Sequence, residues 1–478
     1  MPTNPFLEGA FAPISQEHTL TELAVTGRIP DFLDGRYLRN GPNPLSEVDP
    51  AAYHWFMGDG MVHGVRLRDG KAEWYRNRWV RNPSIDAILD GGRPRTTPHN
   101  LSANTNVIGH AGKTLALMEA GANLWELTDE LDTVGRCDFD GTLSGGYTAH
   151  PKRDPRTGEL HAVSYSLTGG NKVTYSVIDT AGRVRREVPV EVTGAPMMHD
   201  FSLTERHVVF YDLPVTFDAG LATASIPSPV LRATARLVLS AVIGRVRIPD
   251  PITARMASKI SANGSLPYHW NPKYPARIGV MPREGGNADV RWFDVEPCYV
   301  FHPLNAYDDG DSVVLDVVRH PRMFDRQLRG PDEGVPTLDR WTVDLSAGKV
   351  IEERLDDRGQ EFPRVDERVV GRPHRYGYAP SVTTGANPSD ALYKHDFSNG
   401  STQVRSFGAG RSPAEFVFVP RSEDAAEDDG VLAGFVHDAA TERSELTLLD
   451  AATLETVAAI HLPDRVPAGF HGNWLPSA

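Results

Sequence analysis

Four of the 17 histidines in this 478-residue chain stand in settings that resemble one another: His150 in YTAHPK, His199 in MMHDF, His302 in YVFHPLN and His471 in AGFHGN. A lone histidine is most often structural. Imidazoles gathered at one point are a different matter, because they repel when protonated and are stable together mainly as neutral donors to a shared cation. Glu361 in QEFPR and Glu415 in AEFVF sit beside apolar chain rather than in charge runs. A carboxylate that accepts the distal N–H of a metal-bound imidazole fixes its tautomer and raises its basicity, so these two fit as supports.

Residues so far apart in sequence meet only if a repeated scaffold carries them to one place. Runs such as HAVSYSL (161–167), RHVVFYDL (206–213), SVVLDVV (312–318) and VLAGFVHD (431–438) alternate or concentrate β-branched and aromatic residues, and read as strands. Many are joined through a turn that starts at Asp, whose side chain can bond its own backbone two residues on. Such turns fall at Asp69, Asp129, Asp179, Asp294, Asp344, Asp396 and Asp450, with spacings of 60, 50, 115, 50, 52 and 54 residues. A unit of this size holds about four strands, which is what one blade of a β-propeller needs. The fold class expected is therefore all-β, a seven-bladed β-propeller formed by residues 1–478 as a single domain.

Counting from these turns places the histidines. His150 lies 21 residues after Asp129, His199 lies 20 after Asp179 and His471 lies 21 after Asp450. Equivalent slots on a propeller converge on its axis. Glu361 and Glu415 lie 17 and 19 residues after Asp344 and Asp396, nearly the same slot, whereas His302 is only 8 after Asp294 and joins the set through its setting alone.

The doubled spacing between Asp179 and Asp294 holds an inserted helical segment at about 216–262. Residues 228–243, SPVLRATARLVLSAVI, open with Ser-Pro and carry Arg232 and Arg236 four apart on an otherwise apolar helix, with Arg245 and Arg247 following. Basic residues beside a wide apolar face suit a helix lying in a membrane surface. A helix packed over the propeller rim as part of its core fits the same pattern.

Composition narrows the partners. Lys and Arg total 49 against 63 Asp and Glu, a formal charge of −14, which repels polyphosphate backbones and argues against nucleic acid. Two cysteines, Cys137 and Cys298, are too few for a disulfide framework. No basic-then-apolar leader opens the sequence and no run of 18 apolar residues occurs, so a cytoplasmic protein, peripheral at the inner face of the membrane if the helix anchors it, is expected.

The segments GRYLRNGPNP (35–44), GDGMVHGV (58–65), TAHPKRDPRTGELHAVSYS (148–166), FHPLNAY (301–307), EFVFVPR (415–421) and LPDRVPAGFHGNW (462–474) resemble, in order and over nearly the whole chain, the carotenoid cleavage oxygenase family. The resemblance implies a propeller with a helical and loop cap over a substrate tunnel. It implies Fe(II) held by His150, His199, His302 and His471. It implies three glutamates that hold the outer nitrogens of these rings: Glu119 for His199, Glu361 for His302 and Glu415 for His471, leaving His150 without a carboxylate. The implied reaction uses O₂ to split one C=C bond of a small apolar polyene into two carbonyl products. Thr105 matches a family position near the open coordination site, and Phe301 and Phe56 are candidate tunnel residues, with ordinary core packing the preferred reading for Phe56.

In stilbene-cleaving members of that family a lysine directly before the first glutamate recognises a phenol. Here that residue is Met118, which suits a hydrocarbon wall and favours a carotenoid or apocarotenoid over a hydroxystilbene. Three further readings compete: a non-catalytic propeller that serves as a binding platform, isomerisation or ester cleavage of a retinoid on the same iron, and a closed structural zinc site.

Overall fold

The computed structural model describes residues 4–92, 103–121, 123–166, 170–224, 226–243, 245, 266–331, 333–383 and 389–477. Seven antiparallel sheets follow one another along the chain and form the blades of a propeller. Blade 3 shows the plan: Lys152–Arg153, Leu160–Tyr165, Lys172–Ile178 and Val184–Glu191 pair in sequence order. The ring closes with both ends of the chain. The C-terminal strand Gly472–Pro476 pairs with Gly35–Pro42 and so becomes the first strand of blade 1, while Val25–Gly27 adds an outer strand to blade 7.

Burial follows position in the blade. Second and third strands are covered on both faces by neighbouring blades and read as continuous apolar runs, as in Ser312–His320. Fourth strands face water and alternate, as in Lys349–Asp356. The turns before them work as their aspartates require. Oδ1 of Asp179 accepts the N–H groups of Ala181 and Arg183, and Oδ1 of Asp344 and Asp450 do the same two and three residues on.

One turn of the expected repeat is misplaced. Asp294 ends the strand Arg291–Asp294, the fourth of blade 4, and leads to the next blade. The hairpin of that blade lies between Pro282 and Arg291, where Arg283 rather than an Asp directly follows the third strand and the nearest Asp is Asp289. Counted from Pro282, the last residue of that strand, His302 falls 20 residues on. It therefore shares the slot of the other three histidines. The doubled spacing is a single blade with an insertion between its second and third strands, His207–Asp212 and Arg277–Pro282.

That insertion comprises a two-stranded ribbon, Val215–Phe217 with Tyr268–Trp270, and the helices Ala219–Thr223 and Pro229–Val242. Ser228 caps the longer helix by accepting the N–H of Leu231, and Pro229 occupies its first position. No residue of this helix is buried, and Val230 and Leu237 are 74% and 73% exposed. This overturns core packing over the rim as its role. The rest of the expected 216–262 segment, with Arg247, lies in 246–265, outside the described residues.

Candidate metal centre

The seven blades present seven residues at the start of their first strands: Thr105, His150, His199, His302, Glu361, Glu415 and His471. The first strand of blade 6 is reduced to the isolated bridges Gln360 to Ser381 and Arg364 to Tyr378, with Glu361 between them. His471 is tied to its neighbours in the ring, since its N–H donates to the carbonyl of Thr105 and its carbonyl accepts the N–H of Asn40. Four of these slots bring His150, His199, His302 and His471 together: one ligand atom from each lies within 4.8 Å of the others, and all four residues are buried.

The carboxylates orient the rings. Oε2 of Glu361 lies 2.6 Å from Nδ1 of His302, and Oε1 of Glu415 lies 2.9 Å from Nδ1 of His471. Both rings therefore turn Nε2 inward, and Nε2 of His302 faces Nε2 of His199 at 3.2 Å. Glu119 comes from after the second strand of blade 2, Lys113–Leu117, which is why the repeat does not reveal it. Its Oε2 approaches Nδ1 of His199 at 3.5 Å, and its Oε1 approaches Nε2 of His150 at 3.4 Å while accepting the Ala149 N–H. His150 thus has a carboxylate beside it, in contrast to the expected pattern, because Glu119 is long enough to stand between two adjacent slots.

The charge states suit a cation. Burial first, and then the neighbouring imidazoles, push His150 and His199 well below the ordinary histidine range, and burial also lowers His471. Burial would lower His302 too, but the short bond to Glu361 outweighs it and raises the value. Glu119 is pushed well up by burial and by Asp200, opposed only by the Ala149 amide. The buried Nε2 of His150, Nδ1 of His199 and Oε2 of Glu119 have no hydrogen-bond partner. Unpaired lone pairs and neutral imidazoles at one point fit a bound metal, which would satisfy the inward donors and draw a proton from Glu119. An all-imidazole donor set suits iron, zinc, copper or nickel.

An apolar cavity of about 340 Å³ reaches His199, His302 and His471. Its walls include Trp55, Phe56, Met118, Phe301, Phe362 and Phe470. Phe301 stands edge-on to His199 with centroids 5.0 Å apart, and Phe56 stands edge-on to Phe301 at 6.0 Å. Phe56 is therefore part of the cavity wall as well as of the core. Phe362, missed in the sequence, stacks on His302 at 5.2 Å from a backbone with φ of 52°, a left-handed conformation that is costly for a bulky residue and recurs at functional sites. Thr105 also lines the cavity, and Leu266 and Tyr268 of the insertion close one side. A second cavity of about 800 Å³, whose lining is more polar than that of the first, approaches His150, His302 and His471 from elsewhere.

Comparison with known proteins agrees with this geometry. The family model described as Retinal pigment epithelial membrane protein matches residues 11–476. A carotenoid cleavage oxygenase of Mycobacterium tuberculosis is 59% identical, over 99% of this chain and 98% of its own. The chain belongs to the carotenoid cleavage oxygenase family. Among solved members of this fold, Pseudomonas brassicacearum lignostilbene dioxygenase superposes with a TM-score of 0.83 at 29% identity, covering 100% of both chains. Cobalt-substituted Synechocystis ACO superposes with a TM-score of 0.80 at 27% identity, covering 97% of both. The carotenoid cleavage oxygenase fold thus accounts for the seven blades.

Proposed function

We propose that the protein is a non-haem iron(II) dioxygenase that cleaves one C=C bond of a carotenoid or apocarotenoid to two carbonyl products. The observation that carries this reading is the meeting of four buried imidazoles with the inner end of an aromatic cavity. His150, His199, His302 and His471 would hold the metal through Nε2. Glu119, Glu361 and Glu415 orient the rings without neutralising the ion as a carboxylate ligand would. Iron(II) in such a site supplies O₂ activation beside a bound alkene.

The remaining work belongs to the chain. One C=C and one O₂ become two C=O with no net proton transfer, so no acid or base is required at the cleaved bond. A conjugated chain offers many similar double bonds, and only the one held at the metal reacts, so positioning decides the product. Phe301, Phe56 and Phe362 fix the polyene against the histidines, and Thr105 borders the open side of the centre. The aromatic wall also excludes water from that space.

The helix Pro229–Val242 is read as a surface anchor through which a lipid-soluble substrate enters. The same insertion supplies Leu266 and Tyr268 to the cavity wall. The free, buried thiols of Cys137 and Cys298 suit a reducing compartment, and the location proposed is cytoplasmic, at the inner membrane face. Among the described residues no helix is long and apolar enough to cross a membrane. Cleavage of a stilbene is the second reading, supported by the likeness to lignostilbene dioxygenase. Met118 in the cavity wall gives a phenol no charged partner and favours the polyene.

The deciding experiment incubates iron(II)-loaded protein with a panel of carotenoids, apocarotenoids and stilbenes under ¹⁸O₂ and identifies products by mass. Paired carbonyl fragments from a polyene, each carrying ¹⁸O, are expected. Label in neither fragment, or turnover of stilbenes alone, would sink the proposal.

A further inference from the structure

Glu361 serves two histidines. Its Oε2 meets Nδ1 of His302 at 2.6 Å, and its Oε1 meets Nε2 of His320 at 2.9 Å. His320 ends the second strand of blade 5, Ser312–His320, opposite Tyr299 on the strand that carries His302. It is buried, lines the apolar cavity, and stands edge-on to Phe301 with centroids 5.2 Å apart.

We propose that His320 is a positioning residue for the metal centre, donating Nε2–H to Glu361 and thereby fixing the carboxylate that orients His302. The inference rests on the reading of the four histidines as a metal centre. Each supporting carboxylate needs its own second contact, because an oxygen left free in a buried site lets the side chain turn. Glu415 has Arg364 and the Gly472 amide for this purpose. Glu119 has the Ala149 amide. Glu361 lies in the blade whose first strand is reduced to isolated bridges, and the adjoining Phe362 amide contacts the same Oε2 that holds His302. Among the described residues, His320 is the hydrogen-bond partner of Oε1. The pair also links centre and cavity, since the ring that holds Glu361 is the ring that Phe301 packs against.

A donor is required of His320 at Nε2, the nitrogen opposite to the one that carries the proton in His302, His471 and His199 when their Nε2 atoms bind metal. Two measurements test this. The first is cobalt(II) binding by metal-stripped full-length protein. H320F keeps an aromatic ring against Phe301 and removes the donor, and should weaken cobalt affinity by about 10- to 100-fold. H320Q restores an N–H and should recover a large part of it, with the cobalt absorption bands returning toward those of wild type. Equal affinities and spectra for wild type and H320F would overturn the proposal.

The second uses folded wild-type protein and so stands even if H320F fails to fold. Histidine-selective ¹⁵N labelling of the zinc-loaded chain should show His320 protonated at Nε2, and a proton on Nδ1 instead would overturn the assignment. A wild-type chain that binds neither cobalt nor zinc fails at an earlier point, the metal centre itself, and is distinguished from failure of His320 alone.

Discussion

Oε1 of Glu415 lies 2.9 Å from Nδ1 of His471, and the other oxygen of the same carboxylate accepts the backbone N–H of Gly472 and stands 3.3 Å from Arg364. Burial alone would raise its pKa, yet Arg364 and His471 together hold it down to about 2. The carboxylate is thus held in its charged form through the neutral pH range. Glu415→Gln keeps an acceptor but leaves Arg364 without its buried counter-charge, which should cost about 3 kcal/mol of stability. The lost polarisation of His471 should weaken metal binding by about 10-fold or more. Thermal midpoint and cobalt titration together check this, and a variant with unchanged cobalt affinity would remove Glu415 from the centre.

Acid sensitivity of the metal-free protein should begin well above the carboxylate range. Burial lowers His54 and His161 to about 3, the latter with help from Arg283. Unfolded histidines take up a proton near about 6.5, so below that pH the unfolded chain binds more protons and stability falls as pH falls. The loss runs through the whole interval from about 6.5 down to about 3, at about 1.4 kcal/mol per pH unit for each such histidine. The thermal midpoint should therefore drop steadily between pH 7 and pH 5, and His161→Gln should make the slope shallower. A profile flat over that interval would contradict this account.

The parts of the fold legible in the sequence are those that local chemistry fixes. Asp179, Asp344 and Asp450 bond their own following amides, so each hairpin announces itself without reference to the rest of the chain. The offsets of His150, His199 and His471 inherit that regularity. His302 stands apart in the count because Arg283, not an Asp, directly follows the third strand of blade 4, which shifts the apparent origin and not the slot. Glu119 leaves no trace in the repeat, since it reaches the axis from after a second strand and touches histidines of two other blades. The cavity ring of Phe362 depends on a left-handed backbone, and the tie between His320 and Glu361 on strand pairing; neither is written in residue spacing.

Phe301 should control which double bond is cut. Its ring is held by Tyr299, Phe56 and His199, with centroids 4.7, 6.0 and 5.0 Å away, so a polyene pressed against it has little freedom to slide. Phe301→Ala opens the wall beside the metal at a cost of about 3 kcal/mol in stability. A folded variant should turn one substrate into a mixture of chain lengths where wild type gives a single pair, as read by mass spectrometry of the products. An unchanged product pair would mean that register is set elsewhere.

Met118 offers a gain-of-function test. It lines the cavity immediately before Glu119 and gives a phenol no charged partner. Met118→Lys places an ammonium in an apolar wall, where a charge-assisted hydrogen bond is worth about 1.5 to 3 kcal/mol. Relative kcat/KM for a 4-hydroxystilbene over an apocarotenoid should rise by about 10- to 100-fold. No change in that ratio would show that Met118 does not face the substrate terminus.

The exposed helix Pro229–Val242 makes the last prediction. Val230, Leu231, Leu237 and Val238 are all more than half exposed, an unusual concentration of large apolar side chains on one short helix. Arg236 lies close to Gly220 of the preceding helix, and Arg232 bonds the carbonyl of Ile226, so the helix is tied down at its start while its apolar residues stay free. Inserting those side chains into lipid would contribute about 0.8 kcal/mol per buried methylene, and arginines at the interface add attraction to anionic headgroups. Cosedimentation with vesicles containing phosphatidylglycerol should fall at least 10-fold when Leu231, Leu237 and Val238 are replaced by Ser. Because none of the three is buried, the thermal midpoint should stay within a few degrees of wild type. Cleavage of a detergent-solubilised apocarotenoid should be unaffected, and cleavage of the same compound presented in vesicles should slow in proportion to the lost binding. Equal sedimentation of wild type and the triple variant would overturn the anchor, leaving the cavity to take its substrate by another route.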